Sequence, residues 1–163
     1  MGARRKVAEM AIEIQFEPET TGRPLSDSRL QGVENNLGVL FPREYVEFLR
    51  KSNGGVPIEN LFTYGTNEKV VERFLSLLDD YKNDPLGQYD LEVVWSQIEG
   101  RLDDHLVPFG ELFAGDFVCF NFREQPEPDV VLWDHEQSRE DAPFTVKIAD
   151  SFVSFVQMLY TAS

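Results

Sequence analysis

The run at residues 37–57, LGVLFPREYVEFLRKSNGGVP, constrains the fold more than any other part of the chain. Pro42 suits the first turn of a helix, where its missing N–H would have no intrahelical acceptor. Tyr45, Phe48 and Leu49 then recur at helical spacing on one face, with Arg43, Glu44, Glu47, Arg50 and Lys51 on the other. Basic residues in the last turn complement the negative end of the helix dipole. Asn53, Gly54 and Gly55 tolerate positive φ and stop the helix, and Pro57 prevents its resumption. The stretch predicts an amphipathic helix with both ends written locally. It carries no evident catalytic group, so its reading is architectural.

Before it, residues 11–17 alternate apolar and polar, with Ile12, Ile14 and Phe16 on one face, which predicts a half-buried strand. A loop follows, and from Asp27 the spacing of Leu30, Val33 and Leu37 predicts a helix closed by Gly38 and packed beside the next one. Residues 58–64 read as a short extended segment ending at Gly65. Asn67 is placed to cap a third helix, with Val70, Val71, Phe74, Leu78 and Tyr81 on one face. Asp90 is placed to cap a fourth, burying Leu91, Val94, Trp95, Ile98 and Leu102.

Beyond Asp103 and Asp104 the period changes to that of extended chain. Strands are predicted at residues 106–109, 116–122, 130–133 and 144–148. The second is apolar on both faces, the pattern of a doubly covered central strand. Ser151 then caps a closing helix that carries Phe152, Phe155, Val156 and Leu159. Short connections favour antiparallel hairpins. The expected fold class is α+β: N-terminal helices on a mainly antiparallel sheet, with a C-terminal helix.

At 163 residues, 42% hydrophobic and with thirteen Phe, the chain is long and apolar enough for one buried core. We expect residues 1–26 to form an extension with one strand, packed on a domain of residues 27–163. The formal net charge of -14 repels nucleic acid and anionic membranes and favours a basic protein partner. A single cysteine, Cys119, fits a reducing compartment. No apolar run is long enough to span a membrane, and Glu9 and Glu13 interrupt the segment after the basic head Arg4-Arg5-Lys6. A cytoplasmic protein is the expectation. Both Met1 and Met10 are candidate starts, and oligomeric state is not readable.

Signals for catalysis are sparse: no phosphate-cradling loop, no nucleophile elbow and no paired-histidine metal motif. Asp134, His135 and Glu136 form a carboxylate–histidine run, but neighbours on a strand point to opposite faces, so a turn and surface role is expected. His105 would alter that reading only by folding close to Asp134. Cys119 lies in an apolar strand, the wrong setting for a nucleophile. Trp95 and Trp133 read as core. No catalytic residue, metal or cofactor is expected. The richer signal is acidic. Asp79, Asp80 and Asp84, then Asp103 and Asp104, then Glu124, Glu127 and Asp129 occupy successive loops, and Asp134 and Glu136 follow. These are the candidate partner-binding residues, as one acidic rim if the loops meet.

A family resemblance spans roughly residues 27–160. The order Leu37-Gly38, Pro42-x-x-Tyr45-x-x-Phe48-Leu49 and Asn53-Gly54-Gly55 resembles the signature of the SUKH superfamily. Phe62, Tyr64-Gly65, the run at 107–110, Gly115-Asp116, the run at 131–136 with Trp133, and Ser151-Phe152 with Phe155 agree in sequence order. That superfamily holds Smi/Knr-type regulators of fungal cell-wall synthesis and many bacterial immunity proteins. The resemblance implies a non-enzymatic protein-binding module, with an immunity protein against a nuclease or deaminase toxin as the first expectation. A Smi/Knr-type cytoplasmic regulator is the second, and an enzyme centred on Asp134, His135 and Glu136 the third.

Overall fold

The computed structural model describes residues 13–162. Its elements are α1 (Asp27–Leu37), α2 (Arg43–Lys51), β1 (Leu61–Tyr64), β2 (Asn67–Phe74), α3 (Leu91–Ile98), β3 (Leu106–Leu112), β4 (Phe117–Asn121), β5 (Asp129–Trp133), β6 (Thr145–Ala149) and α4 (Phe152–Gln157). The strands form one six-stranded antiparallel sheet in sequence order, β1 to β6. This is the expected α+β arrangement. Short connections permit such a meander, because each strand pairs with its chain neighbour.

The capping chemistry works as the sequence implies. Ser26 accepts the Arg29 N–H, and Gly38 ends α1 at φ 69°. Pro42 takes the N-cap position of α2, one residue before the first turn. Asp90 accepts N–H groups from Glu92 and Val93 at the start of α3, and Ser151 accepts that of Ser154 at the start of α4.

On one face of the sheet, aromatic rings form the core. Phe109 stacks on Phe120 with centroids 4.4 Å apart; Tyr45 of α2 meets Phe120 at 4.8 Å and Phe152 of α4 at 5.1 Å. Phe48 reaches Phe74 at 5.5 Å and Phe152 at 5.4 Å. Tyr45, Phe48 and Leu49 are all buried, as the helix pattern demands. The other face carries Phe117 and Trp133, whose rings lie 5.9 Å apart. The turn after α3 covers them: Trp133 Nε1 donates to the Arg101 carbonyl at 3.1 Å, and the Arg101 guanidinium lies over the indole. β4 is therefore covered on both sides. Burial pushes the Cys119 thiol well above its ordinary pKa, as befits an inert core residue.

Three expectations require correction. Residues 67–81 are not a helix: β2 occupies Asn67–Phe74, followed by irregular chain. Gly65, at φ 58°, turns the chain so that Tyr64 faces Asn67, and the β-branched pair Val70-Val71 suits the resulting strand. The helical spacing of Val71 and Phe74 comes from a register shift between Val71 and Arg73. A bulge changes which way successive side chains point, so residues three apart both reach the core.

Secondly, the residues of the 11–17 segment that are described form no strand; Ala11 and Ile12 lie outside the described residues. Phe16 makes an isolated bridge to Pro57, flanked by Glu17 N to Val56 O and Ile58 N to Gln15 O, both 2.9 Å. Pro57 has no N–H to extend a ladder, and Pro18 ends the segment. Phe16 still packs on Phe48 and Phe74. Thirdly, Trp95 and Ile98 are only half-buried, on the flank of the core, whereas Leu91, Val94, Leu102 and Trp133 are buried.

The Asn53-Gly54-Gly55 turn does more than end α2. Gly55 exchanges both backbone hydrogen bonds with Phe74, at 3.0 and 2.8 Å. A Cβ at Gly54, where φ is 75°, would fall 2.7 Å from the carbonyl oxygens of Phe74 and Leu75. Only glycine permits that approach, and it locks α2 to the exit of β2.

Candidate functional site

The strand directions sort the acidic loops. β2 leaves the sheet at the end where β3 enters, β4 leaves and β5 enters. The loops bearing Asp79, Asp80 and Asp84, then Asp103 and Asp104, then Glu124, Glu127 and Asp129, all depart from this end. Asp134 and Glu136 follow β5 and lie at the opposite end. The expected single rim is therefore split, because antiparallel strands send alternate connections to opposite ends.

Each loop at the acidic end is held by specific bonds. The Leu78 N–H is bound by Asp90 at 2.9 Å, and the Ser26 hydroxyl donates to Asp79 at 2.5 Å. Asp84 accepts the Leu86 N–H, and Asp80 accepts the side-chain amide of Asn83. Asp103 accepts the His105 N–H at 2.8 Å, while Phe122 N donates to the His105 carbonyl at 2.8 Å, which joins that turn to the β4–β5 hairpin. Asp104, Glu124 and Glu127 are exposed and make no ion pair among the described residues. Asp129 differs: it is partly buried, with Lys147 Nζ 3.9 Å from its carboxylate. That ammonium is bound more closely by Asp150, at 2.7 Å. Residues 19–24 and 77–86 enclose a cleft of about 530 Å³ whose wall includes Glu19, Asp79, Asp80 and Asp84.

At the opposite end, three potential ligand atoms converge. Asp116, Asp134 and His135 present them within 4.8 Å of one another, because β5 ends at Trp133 and the alternation of side chains ends with it. Asp116 is buried beside the positive-φ Gly115. It binds His135 twice, at the backbone N–H (3.0 Å) and at Nδ1 (2.7 Å), and lies 3.5 Å from Lys69 Nζ. Asp134 accepts the N–H groups of Glu136 and Gln137 and the Gln137 amide. Burial acts to raise the Asp134 pKa, but these bonds and neighbouring His135 outweigh it and hold the carboxyl below its ordinary value. The carboxylates are occupied within the protein, and Lys69 supplies a positive charge where a cation would compete. His105 sits at the other end of the sheet and plays no part. The turn role expected for Asp134 is therefore observed, whereas His135 is more firmly built in than a surface residue.

The profile of the SMI1 / KNR4 family (SUKH-1) matches residues 24–158. The chain belongs to that family. The match takes in every helix and strand described above. A relative at 24% identity over 172 aligned residues is the "SPbeta prophage-derived uncharacterized protein YokK" of Bacillus subtilis (strain 168). That alignment covers 93% of this chain and 81% of the relative. SUKH-1 membership supports a protein-binding role. No helix among the described residues is long and apolar enough to cross a membrane.

Within this SUKH-1 domain, two features escaped the sequence reading. Asp90, recognisable as a helix cap, also holds Arg29 through both carboxylate oxygens, at 2.9 and 3.1 Å, and Arg29 reaches Glu92 at 2.6 Å. Burial would lower the Arg29 pKa, but the two carboxylates reverse this and leave it raised. No local pattern announces a pair separated by sixty-one residues. The second is Leu40, exposed in the α1–α2 connection. Its signal was present: Val39, Leu40 and Phe41 form an apolar run in a loop too short to bury all three.

Proposed function

We propose that this SUKH-1 protein is an immunity protein, a non-enzymatic cytoplasmic binder that neutralises a cognate toxin of the nuclease or deaminase type by direct contact. The observation that carries this reading is the acidic end of the sheet. There, Asp104, Glu124 and Glu127 stand exposed and without ion pairs among the described residues, on loops bonded to the sheet and to one another. A toxin that handles nucleic acid presents a basic surface, and an acidic binder covers it by offering carboxylates where phosphates would lie. Pro126 and Pro128 stiffen the β4–β5 hairpin, which lowers the entropy lost on docking. A non-enzymatic role is supported by the His135 cluster, whose carboxylates already serve the turn and Lys69.

The test takes as toxin candidate a basic nuclease or deaminase domain from an adjoining gene, and a neighbourhood that encodes none counts against the reading. Co-expression of this protein is expected to restore growth to cells producing that domain. In stopped-flow mixing with an inactivated domain, the Asp104→Asn, Glu124→Gln, Glu127→Gln triple variant is expected to associate more slowly, with a flatter salt dependence. Steering by exposed charges acts on the association rate and is screened within about 8–10 Å at physiological salt. Asp129 is left out because it is partly buried at the start of β5, and its loss would also disturb the fold. Absence of protection together with absence of a complex would remove the immunity reading.

A further inference from the structure

Leu40 is 78% exposed, yet its backbone is tied down on both sides. Its neighbours Val39 and Phe41 are buried, and Glu34 fixes the connection at both. The Val39 N–H donates to the Glu34 backbone carbonyl at 3.2 Å, and the Phe41 N–H to the Glu34 carboxylate at 2.7 Å. With Val39 and Phe41 turned into the core, the side chain between them faces solvent. Leu40 is thus an apolar knob on an anchored stretch of backbone. Covering such a residue costs side-chain rotamer freedom but little backbone freedom, which suits an interface anchor.

Its surroundings define what would cover it. On one side, residues 38–40 and the β4–β5 hairpin bound a cleft of about 330 Å³, with Phe122 and Pro126 against it and Glu124 at its wall. On the other, a shallow depression runs along α1 past Leu30 and Asn35. Glu124 and the nearby Glu127 have no ion-pair partner among the described residues. The one cation in the hairpin, Arg123, is turned towards Asn121 and Thr145, at 2.9 and 3.0 Å, and does not neutralise them. An apolar ledge beside an unpaired carboxylate matches a long cationic side chain, whose methylenes cover the ledge while its charged head meets the carboxylate.

We propose that Leu40 and the adjoining cleft are the anchor of the partner interface, taking an Arg or Lys side chain from a basic protein with Glu124 as its counter-ion. The partner class rests on the reading above, that this protein binds a basic protein. A nucleic acid would be repelled by the carboxylates, and so would a second copy of this acidic chain.

The experiment places the photoreactive residue p-benzoylphenylalanine at position 40 of the full chain in the producing cells, and at Phe113 as a comparison. Phe113 is 67% exposed and lies after β3, at the opposite end of the sheet. Captured polypeptides are identified by mass spectrometry. Capture of a polypeptide with a basic domain from position 40 and not from 113 is the expected result. If that polypeptide is a toxin, both readings stand; if it is a basic protein of another kind, the anchor stands and the immunity reading falls. Capture from position 113 alone, from neither position, or of a second copy of this chain at position 40 overturns the anchor. With the captured protein in purified form, Leu40→Ser is expected to raise the dissociation rate roughly tenfold or more at unchanged Tm, as loss of an anchor should. An unchanged dissociation rate overturns the proposal.

Discussion

The side-chain amide of Asn53 pairs with both backbone groups of Leu77, donating from Nδ2 to the carbonyl at 2.7 Å and accepting the N–H on Oδ1 at 2.8 Å. Nδ2 also donates to the Arg23 carbonyl at 2.8 Å, and the residue is only 1% exposed. Asn53 therefore acts as a piece of strand for chain that has just left the sheet. Asn53→Ala strands these groups, each at a cost of roughly 1–3 kcal/mol if buried, so a total loss of at least about 2 kcal/mol is expected. Asn53→Asp should be no better, because its second oxygen would face two carbonyls. Urea unfolding of both variants measures this; an aspartate variant as stable as the parent would refute the geometry.

Arg29 and Asp90 join α1 to the start of α3 in a setting where Asp90 is fully buried. Removing one member of a buried pair typically costs about 3–5 kcal/mol. Asp90 keeps backbone N–H donors from Leu78, Glu92 and Val93, so Arg29→Ala should fall near the lower end. A double-mutant cycle with Asp90→Ala is expected to give a coupling above about 1 kcal/mol. Additive single losses would show that the two residues act independently.

Asp134 supplies a pH signature. A carboxyl held below its ordinary value of 3.8 stabilises the fold at pH values above that point and loses the contribution as pH falls through its folded value. Asp134→Ala should therefore lower stability at pH 7 by about 1 kcal/mol, since its turn bonds are partly exposed to solvent. The deficit relative to the parent should shrink below pH 3.8. Parallel denaturation series at pH 7 and at pH 3 test the sign: a deficit that grows in acid would contradict it.

His135 and Asp116 give a stability prediction and a metal prediction together. His135→Ala removes the Nδ1 contact but leaves Asp116 near Lys69, so a loss of about 1 kcal/mol is expected from a partly exposed charge-assisted bond. Titration with zinc should find no stoichiometric site, because the carboxylates are occupied and Lys69 opposes a cation. One tightly held zinc per chain, lost on that substitution, would reverse this assignment.

Several elements were determined by local sequence alone. The ends of α1 and α2, the caps at Asp90 and Ser151, the buried face Tyr45-Phe48-Leu49 and the doubly apolar β4 each follow from neighbouring residues. Their physical causes, capping, dipole and periodicity, act within a few residues of chain. The ordered motifs likewise carry the SUKH resemblance in the sequence itself.

What tertiary structure alone decided involves groups distant in sequence. The register shift in β2 makes Val71 and Phe74 imitate a helix, and only pairing with β1 and β3 exposes the imitation. Asp134 and Glu136 read as a continuation of the acidic loops, yet strand direction carries them to the other end of the sheet. Asn53 finds Leu77, Arg29 finds Asp90 and Asp116 finds His135 across long separations, and the energy of each pair exists only once the chain has closed around it. Leu40 shows the same division from the opposite side. Its apolar character is written in the sequence, but its exposure follows from Val39 and Phe41 having taken the core positions on either side.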